Sequence, residues 1–125
     1  MIQRIFLFLL LLLQTAQICH GETQVPTHTD LRYSGDYKRS QLDLWLAESK
    51  KPTPLVVNFH GGGFKNGDKR SFQRNSMLQN NLARGISFAS VNYPYIDQVE
   101  GDHRKLLEHC AESIKFIKKN AGKYN

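Results

Sequence analysis

The run Leu55-Val56-Val57-Asn58-Phe59 ends directly on His60-Gly61-Gly62-Gly63-Phe64, and this junction constrains the chain more than any other feature. A short, nearly continuous apolar and β-branched run predicts a strand in the middle of a sheet, covered on both faces. Pro52-Thr53-Pro54 before it forbids a ladder or a helix and gives the strand a sharp start. At its carboxyl end, three consecutive glycines let the backbone take φ > 0 and come close to a ligand. Bare N–H groups can then face a developing negative charge. Three adjacent glycines also add backbone entropy cost beyond what a plain turn requires.

The segments around this junction predict an α/β fold. Asp68 is placed to cap a helix over 69–84, with Phe72, Leu78 and Leu82 toward the core and Gly85 as its stop. Ile86 to Asn92 reads as the next strand. Strand, helix and strand make a crossover unit, so the two strands are expected to be parallel neighbours. Upstream, Leu31 to Tyr37 and Leu42 to Ala47 alternate apolar and polar residues and suit an antiparallel pair at the margin of the sheet. Within the second, Leu42, Leu44 and Leu46 share one face, opposite Asp43 and Trp45. Gly101 or Asp102 starts a final helix in which Leu106, Leu107, Cys110, Ala111, Ile114 and Ile117 recur at helical spacing, with Gly122 just past its end.

The amino terminus carries a different signal. Arg4 precedes the apolar stretch Ile5 to Leu13, and Cys19-His20-Gly21 offers small residues for processing, the pattern of a cleavable secretory signal over 1–21. The stretch is shorter than the roughly 20 apolar residues that span a bilayer, so the expectation is a secreted or periplasmic protein without a stable membrane span. Residues 22–30 read as a mobile polar leader and 31–125 as the folded domain. Cys19 would leave with the signal, so Cys110 has no internal disulfide partner and, on the apolar side of its helix, is expected to be an inert buried thiol. The net charge of +6 gathers in Lys65, Lys69, Arg70 and Arg74 and in Lys115, Lys118, Lys119 and Lys123. These clusters read as solvated helix faces and not as a nucleic-acid site.

Other glycine-loop chemistries fail on spacing. A phosphate-cradling loop would need Lys where Asp68 stands, and a dinucleotide fingerprint would need a third glycine where Asn66 stands. His28, His103 and His109 show no spacing with carboxylates that suggests a metal site, so neither metal nor cofactor is expected. Asp97, Glu100 and Asp102 read as a solvated turn and helix cap. Ser87, Ser90 and Ser113 lack a glycine-flanked elbow, and no G-x-S-x-G occurs in the 125 residues.

Pro54-Leu-Val-Val-Asn-Phe-His-Gly-Gly-Gly-Phe64, with Lys65-Asn-Gly-Asp-Lys69 and the later Ser90-Val-Asn-Tyr-Pro94, resembles the α/β-hydrolase superfamily. It is similar in particular to HGGGF-motif carboxylesterases, including feruloyl- and acetyl-esterase-like enzymes. Leu42-Asp-Leu-Trp-Leu-Ala47 matches the strand that commonly precedes the motif there. The resemblance covers about 31–125 and only the amino-terminal half of that fold, a mostly parallel sheet with an antiparallel first hairpin and two helices. It implies that the backbone N–H groups of Gly62 and Gly63 stabilise a tetrahedral oxyanion, with His60 and Gly61 supporting the loop and His60 not acting as triad base. It also implies that the nucleophile, acid and base belong to segments beyond Asn125, so these residues alone should not turn over an ester. A small or polysaccharide-linked carboxylic ester is the implied substrate, with Phe64, Tyr93, Tyr95 and Trp45 as candidates for the near wall. Family strand order leaves the 55–59 edge uncovered here, which predicts self-association. The competing reading is a non-catalytic protein that uses the glycine cleft for an acyl or carboxylate ligand.

Overall fold

The computed structural model describes residues 22–124; the expected signal over 1–21, with Cys19 and its cleavage point, lies outside the described residues. Four strands form one mixed sheet: β1 (His28–Arg32), β2 (Gln41–Trp45), β3 (Leu55–Phe59) and β4 (Ser87–Val91), in the order β1-β2-β4-β3. β1 and β2 pair antiparallel, as do β2 and β4, whereas β3 lies parallel to β4 with Val57 opposite Ala89. The antiparallel hairpin and the parallel crossover are the ones the sequence pattern implies.

Two α-helices cover opposite faces of this sheet. The first, α1 (Ser76–Ala83), seals one face through Leu78, which packs with Trp45, Phe88, Phe72 and Leu82. The second, α2 (His103–Tyr124), lays Phe116, Ile117 and Tyr124 over Leu42, Leu44, Ala89 and Val91 on the other. Alternation along β2 therefore buries both faces, since Leu42 and Leu44 enter one core and Trp45 the other. Each fully buried side chain of this size is worth about 1.5–3 kcal/mol relative to exposure.

Several expected boundaries shift for identifiable reasons. β1 starts at His28, inside the segment read as a leader, because its backbone pairs with β2 and the Thr27 hydroxyl accepts the Leu46 N–H at 3.0 Å. The preceding chain is also tied down: Gln24 donates to Gln73 O at 2.8 Å and accepts from Trp45 Nε1 at 3.0 Å. The expected helix over 69–84 is two pieces, a 3-10 turn (Lys69–Phe72) capped by Asp68 and then α1, whose separate cap is the Asn75 side chain on Met77 N. Gly122 lies inside α2 and not past its end.

The buried stripe of α2 runs through Leu106 and Ser113 with Cys110, Phe116 and Ile117 half-buried, leaving Leu107 60% and Ile114 39% exposed. β3, expected in the middle of a sheet, is an edge strand among the described residues, and all five of its residues are half-buried. Among the described residues no helix is long and apolar enough to cross a membrane.

Candidate active site

At the carboxyl end of β3 the chain turns through three successive left-handed residues: Gly62 (φ 119°), Gly63 (φ 60°) and Phe64 (φ 63°). The N–H groups of Lys65 and Asn66 both donate to Gly62 O, at 3.1 and 3.3 Å, and close the turn. A Cβ on Gly62 would lie 2.1 Å from Asn66 O, so close backbone approach and positive φ both demand glycine there. At Gly67 (φ 108°) a Cβ would meet His60 Nδ1 at 2.3 Å. Among the described residues, the exposed N–H groups of Gly62 and Gly63 donate no hydrogen bond. Free glycine N–H groups at the end of a strand are of the kind that can meet an anionic oxygen.

The loop is held from beneath. His60 is 3% exposed and stacks on Tyr93 with centroids 4.5 Å apart, while the Tyr93 hydroxyl donates to His60 O at 2.5 Å. His60 Nδ1 lies 2.8 Å from Gly61 O and Nε2 lies 3.1 Å from Arg39 Nη2. A carbonyl can only accept and a guanidinium can only donate, so Nδ1 carries the proton and Nε2 the lone pair. Both ring nitrogens are engaged within the fold.

Arg39 is the organising group that sequence reasoning missed. From the β1–β2 connection its Nη2 reaches Gly67 O (2.9 Å) and Asn92 Oδ1 (3.2 Å) besides His60, and its Nε reaches Tyr93 O (3.1 Å). Its guanidinium lies 3.9 Å over the Tyr95 ring, and the Tyr95 hydroxyl also donates to Gly67 O at 2.8 Å. One planar fork thus fixes both ends of the glycine loop. Arg39→Lys keeps the charge but cannot span these acceptors. It is expected to lower stability by about 2 kcal/mol, with faster amide exchange confined to 60–67, measured by denaturant melts and hydrogen exchange.

Beneath the loop's far end, Lys69 is 4% exposed, although its neighbours in sequence suggested a solvated basic face. Its ammonium lies 2.6 Å from Asp43 and 2.7 Å from Asp30. A register irregularity in β1, with Asp30 at φ 52°, accompanies this cluster, and Asp30 N donates to Asp43 Oδ1 at 2.9 Å. Burial alone would lower the Lys69 pKa, but hydrogen bonds and charge from Asp30 and Asp43 outweigh it and raise the value. For Asp68, burial acts upward, yet hydrogen bonds from Arg70 and Asn92 hold its carboxyl well below the usual range.

The raised Lys69 contributes stability that is full below the ordinary lysine value of about 10.4 and is lost as pH climbs through the raised one. The depressed Asp68 contributes stability present above about 3.9 and lost as pH falls through its own value. These two groups predict a melting temperature nearly flat between about pH 5 and 10 that declines on both sides, measured by circular dichroism.

The remaining sequence candidates divide clearly. Phe64 is 39% exposed and packs edge-on to Tyr93 and His103. Tyr93 and Tyr95 act as supports, and burial raises the Tyr93 phenol. Trp45 is 1% exposed in the core beside Leu78 and is remote from any wall. Asp97 and Asp102 accept backbone N–H groups at the turn and helix start, as solvated capping residues do. Ser87 Oγ is taken up by Ala47 N and Thr53, and Ser113 by Cys110 O. Burial pushes the Cys110 thiol up to about 11, so it is no thiolate nucleophile near neutrality. Among the described residues, neither these serines nor this cysteine is an activated nucleophile.

Comparison with known proteins bears on the fold and the family. The family model described as BD-FAE matches residues 42–125. Among solved structures, the bifunctional GH43-CE protein of Bacteroides eggerthii is similar with a TM-score of 0.66 and 24% identity, over 78% of this chain and 12% of that one. A truncated carbohydrate esterase from gut microbiota gives a TM-score of 0.66 at 20% identity, over 82% of this chain and 36% of that one. Esterase B of Lactobacillus rhamnosis gives 0.60 at 20% identity, over 93% and 38%. The chain therefore spans little more than a third of the length of these esterases, or less, and has the architecture of the amino-terminal portion of an α/β-hydrolase fold. No curated protein matches it.

Proposed function

The chain belongs to the BD-FAE family, and from that premise we propose that its glycine loop is the oxyanion-binding element of a serine ester hydrolase. The observation that carries this reading is the pair of unengaged N–H groups at Gly62 and Gly63, held on a loop that Arg39, His60 and Tyr93 make rigid. Preorganised donors of this kind stabilise the charge that develops on a carbonyl oxygen during acyl transfer. The attacking serine, its base and its acid come from segments other than the residues described.

The substrate in this reading is a carboxylic ester, small or linked to a polysaccharide, by analogy with the carbohydrate esterase neighbours. The polypeptide purified from its source is expected to hydrolyse short aryl esters, whereas residues 22–125 expressed alone are expected to give no turnover above buffer. Turnover by the short chain would contradict the assignment of the nucleophile elsewhere. Saturable stabilisation of the purified polypeptide by carboxylates without any hydrolysis would favour the binding-protein reading. Export to the periplasm or medium belongs to the same proposal and predicts a native amino terminus near Glu22. The uncovered β3 edge predicts that the isolated chain associates with rising concentration in sedimentation velocity, and a monomer throughout would oppose this.

A further inference from the structure

We propose that Asp36, His109 and Glu112 bind one divalent transition-metal ion of the zinc type. His109 and Glu112 lie one turn apart on the same face of α2, and the β1–β2 connection carries Asp36 to them. One ligand atom from each residue falls within 4.8 Å of the other two. Tetrahedral zinc with bonds of about 2.0–2.2 Å separates its ligand atoms by roughly 3.3–3.5 Å, so a modest closure of side chains, easiest at exposed Asp36, completes the set.

The second observation concerns His109 itself. Its side chain is only 13% exposed and its Nδ1 is buried with no hydrogen-bond partner. Glu112 Oε2 is 3.1 Å away, a close charge contact that is not a hydrogen bond. A buried nitrogen without a partner is unfavourable, and a cation between imidazole and carboxylate satisfies it. The neighbours already orient the donors. The Tyr37 ring meets the imidazole edge-on at 4.8 Å, and the Ser34 hydroxyl donates to Asp36 Oδ2 at 3.0 Å. Such outer contacts commonly fix metal ligands in place.

One imidazole with two carboxylates suits zinc and its neighbours and not magnesium or calcium, which take oxygen alone. Three protein ligands leave a fourth position for water. The bond would tie the connection that carries Arg39 to the long helix, so its consequence is stability of the loop support. Lys115 and Lys119 line a cleft with Glu112 and are the charges that oppose a cation there.

Titration of Zn2+ into the chelator-treated full chain, followed calorimetrically, is expected to give one saturable site and a raised melting temperature. Co2+ should produce the visible absorption of a four-coordinate nitrogen–oxygen site. Asp36→Asn, in an exposed loop where folding is not at risk, and Glu112→Gln are each expected to weaken binding by at least the roughly 10- to 100-fold typical of perturbing the surroundings of a metal site. Absence of saturable binding would show a plain histidine–carboxylate pair and overturn the proposal. Binding equal to the parent in both variants would place the metal elsewhere in the chain and overturn it as well.

Discussion

Asp43→Ala is expected to lower the melting temperature by on the order of 12–24 °C, the largest stability change available from one side chain here. Asp43 is 1% exposed and holds both the Lys69 ammonium at 2.6 Å and the Asp30 N–H at 2.9 Å. Removing it strands a buried cation with only Asp30, whose side chain is 63% exposed and bathed by solvent. Breaking a buried pair typically costs 3–5 kcal/mol, and the surviving Asp30 contact puts this case near the lower end, about 3 kcal/mol. Asp43→Asn keeps an acceptor and should cost less. Asp43→Leu with Lys69→Met, which removes both charges together, should cost least of all. Thermal melts of the three variants decide the matter. Equal losses in all three would mean that stranding the buried Lys69 charge is not what sets the cost.

Gly62→Ala is expected to combine a structural and a chemical effect. The backbone at φ 119° is unfavourable to any L side chain, and the new Cβ would stand 2.1 Å from Asn66 O, so the turn must open. Strain at such positions costs of order 1–3 kcal/mol. In the polypeptide that carries this loop together with its nucleophile, loss of one oxyanion donor lowers kcat by about 100- to 1,000-fold with little change in KM. Gly61→Ala is the internal control, because nothing lies within 4 Å of the position its methyl group would take. Its stability should stay near that of the parent. Similar kcat losses in the two variants would argue that general loop disorder, and not the Gly62 donor, sets the rate.

The parts of this fold legible in the sequence were those written as local pattern. The apolar run 55–59, the glycines after it and the strand at 87–91 set a parallel crossover whose partners are neighbours along the chain, and the structure has it. The antiparallel hairpin was equally local. What escaped were features that depend on distant groups meeting. Lys69 lies among Lys65, Arg70 and Arg74 and carries no local mark of burial, because its partners come from β1 and β2.

Arg39 looked like part of a polar turn, and only the convergence of Gly67, Asn92 and Tyr93 gives it a task. Asp36 joins His109 and Glu112 by the same long-range folding. The rotation of the α2 stripe away from Leu107 and Ile114 has a related cause. Helical spacing marks an apolar face but does not say which part of it the sheet will cover. For His60, a supporting part was only what the family resemblance implied.

If Gly62 and Gly63 serve a serine nucleophile that lies outside these 125 residues, the native polypeptide must carry that serine in reactive form. Treating the polypeptide isolated from its source with a fluorophosphonate ester, then measuring its intact mass and the labelled peptide, decides this. The expected result is a single phosphonyl adduct on a serine within a G-x-S-x-G sequence beyond Asn125. A native polypeptide with the mass of residues 22–125 and no adduct would contradict the proposed role, and would leave the glycine loop as a binding site without chemistry.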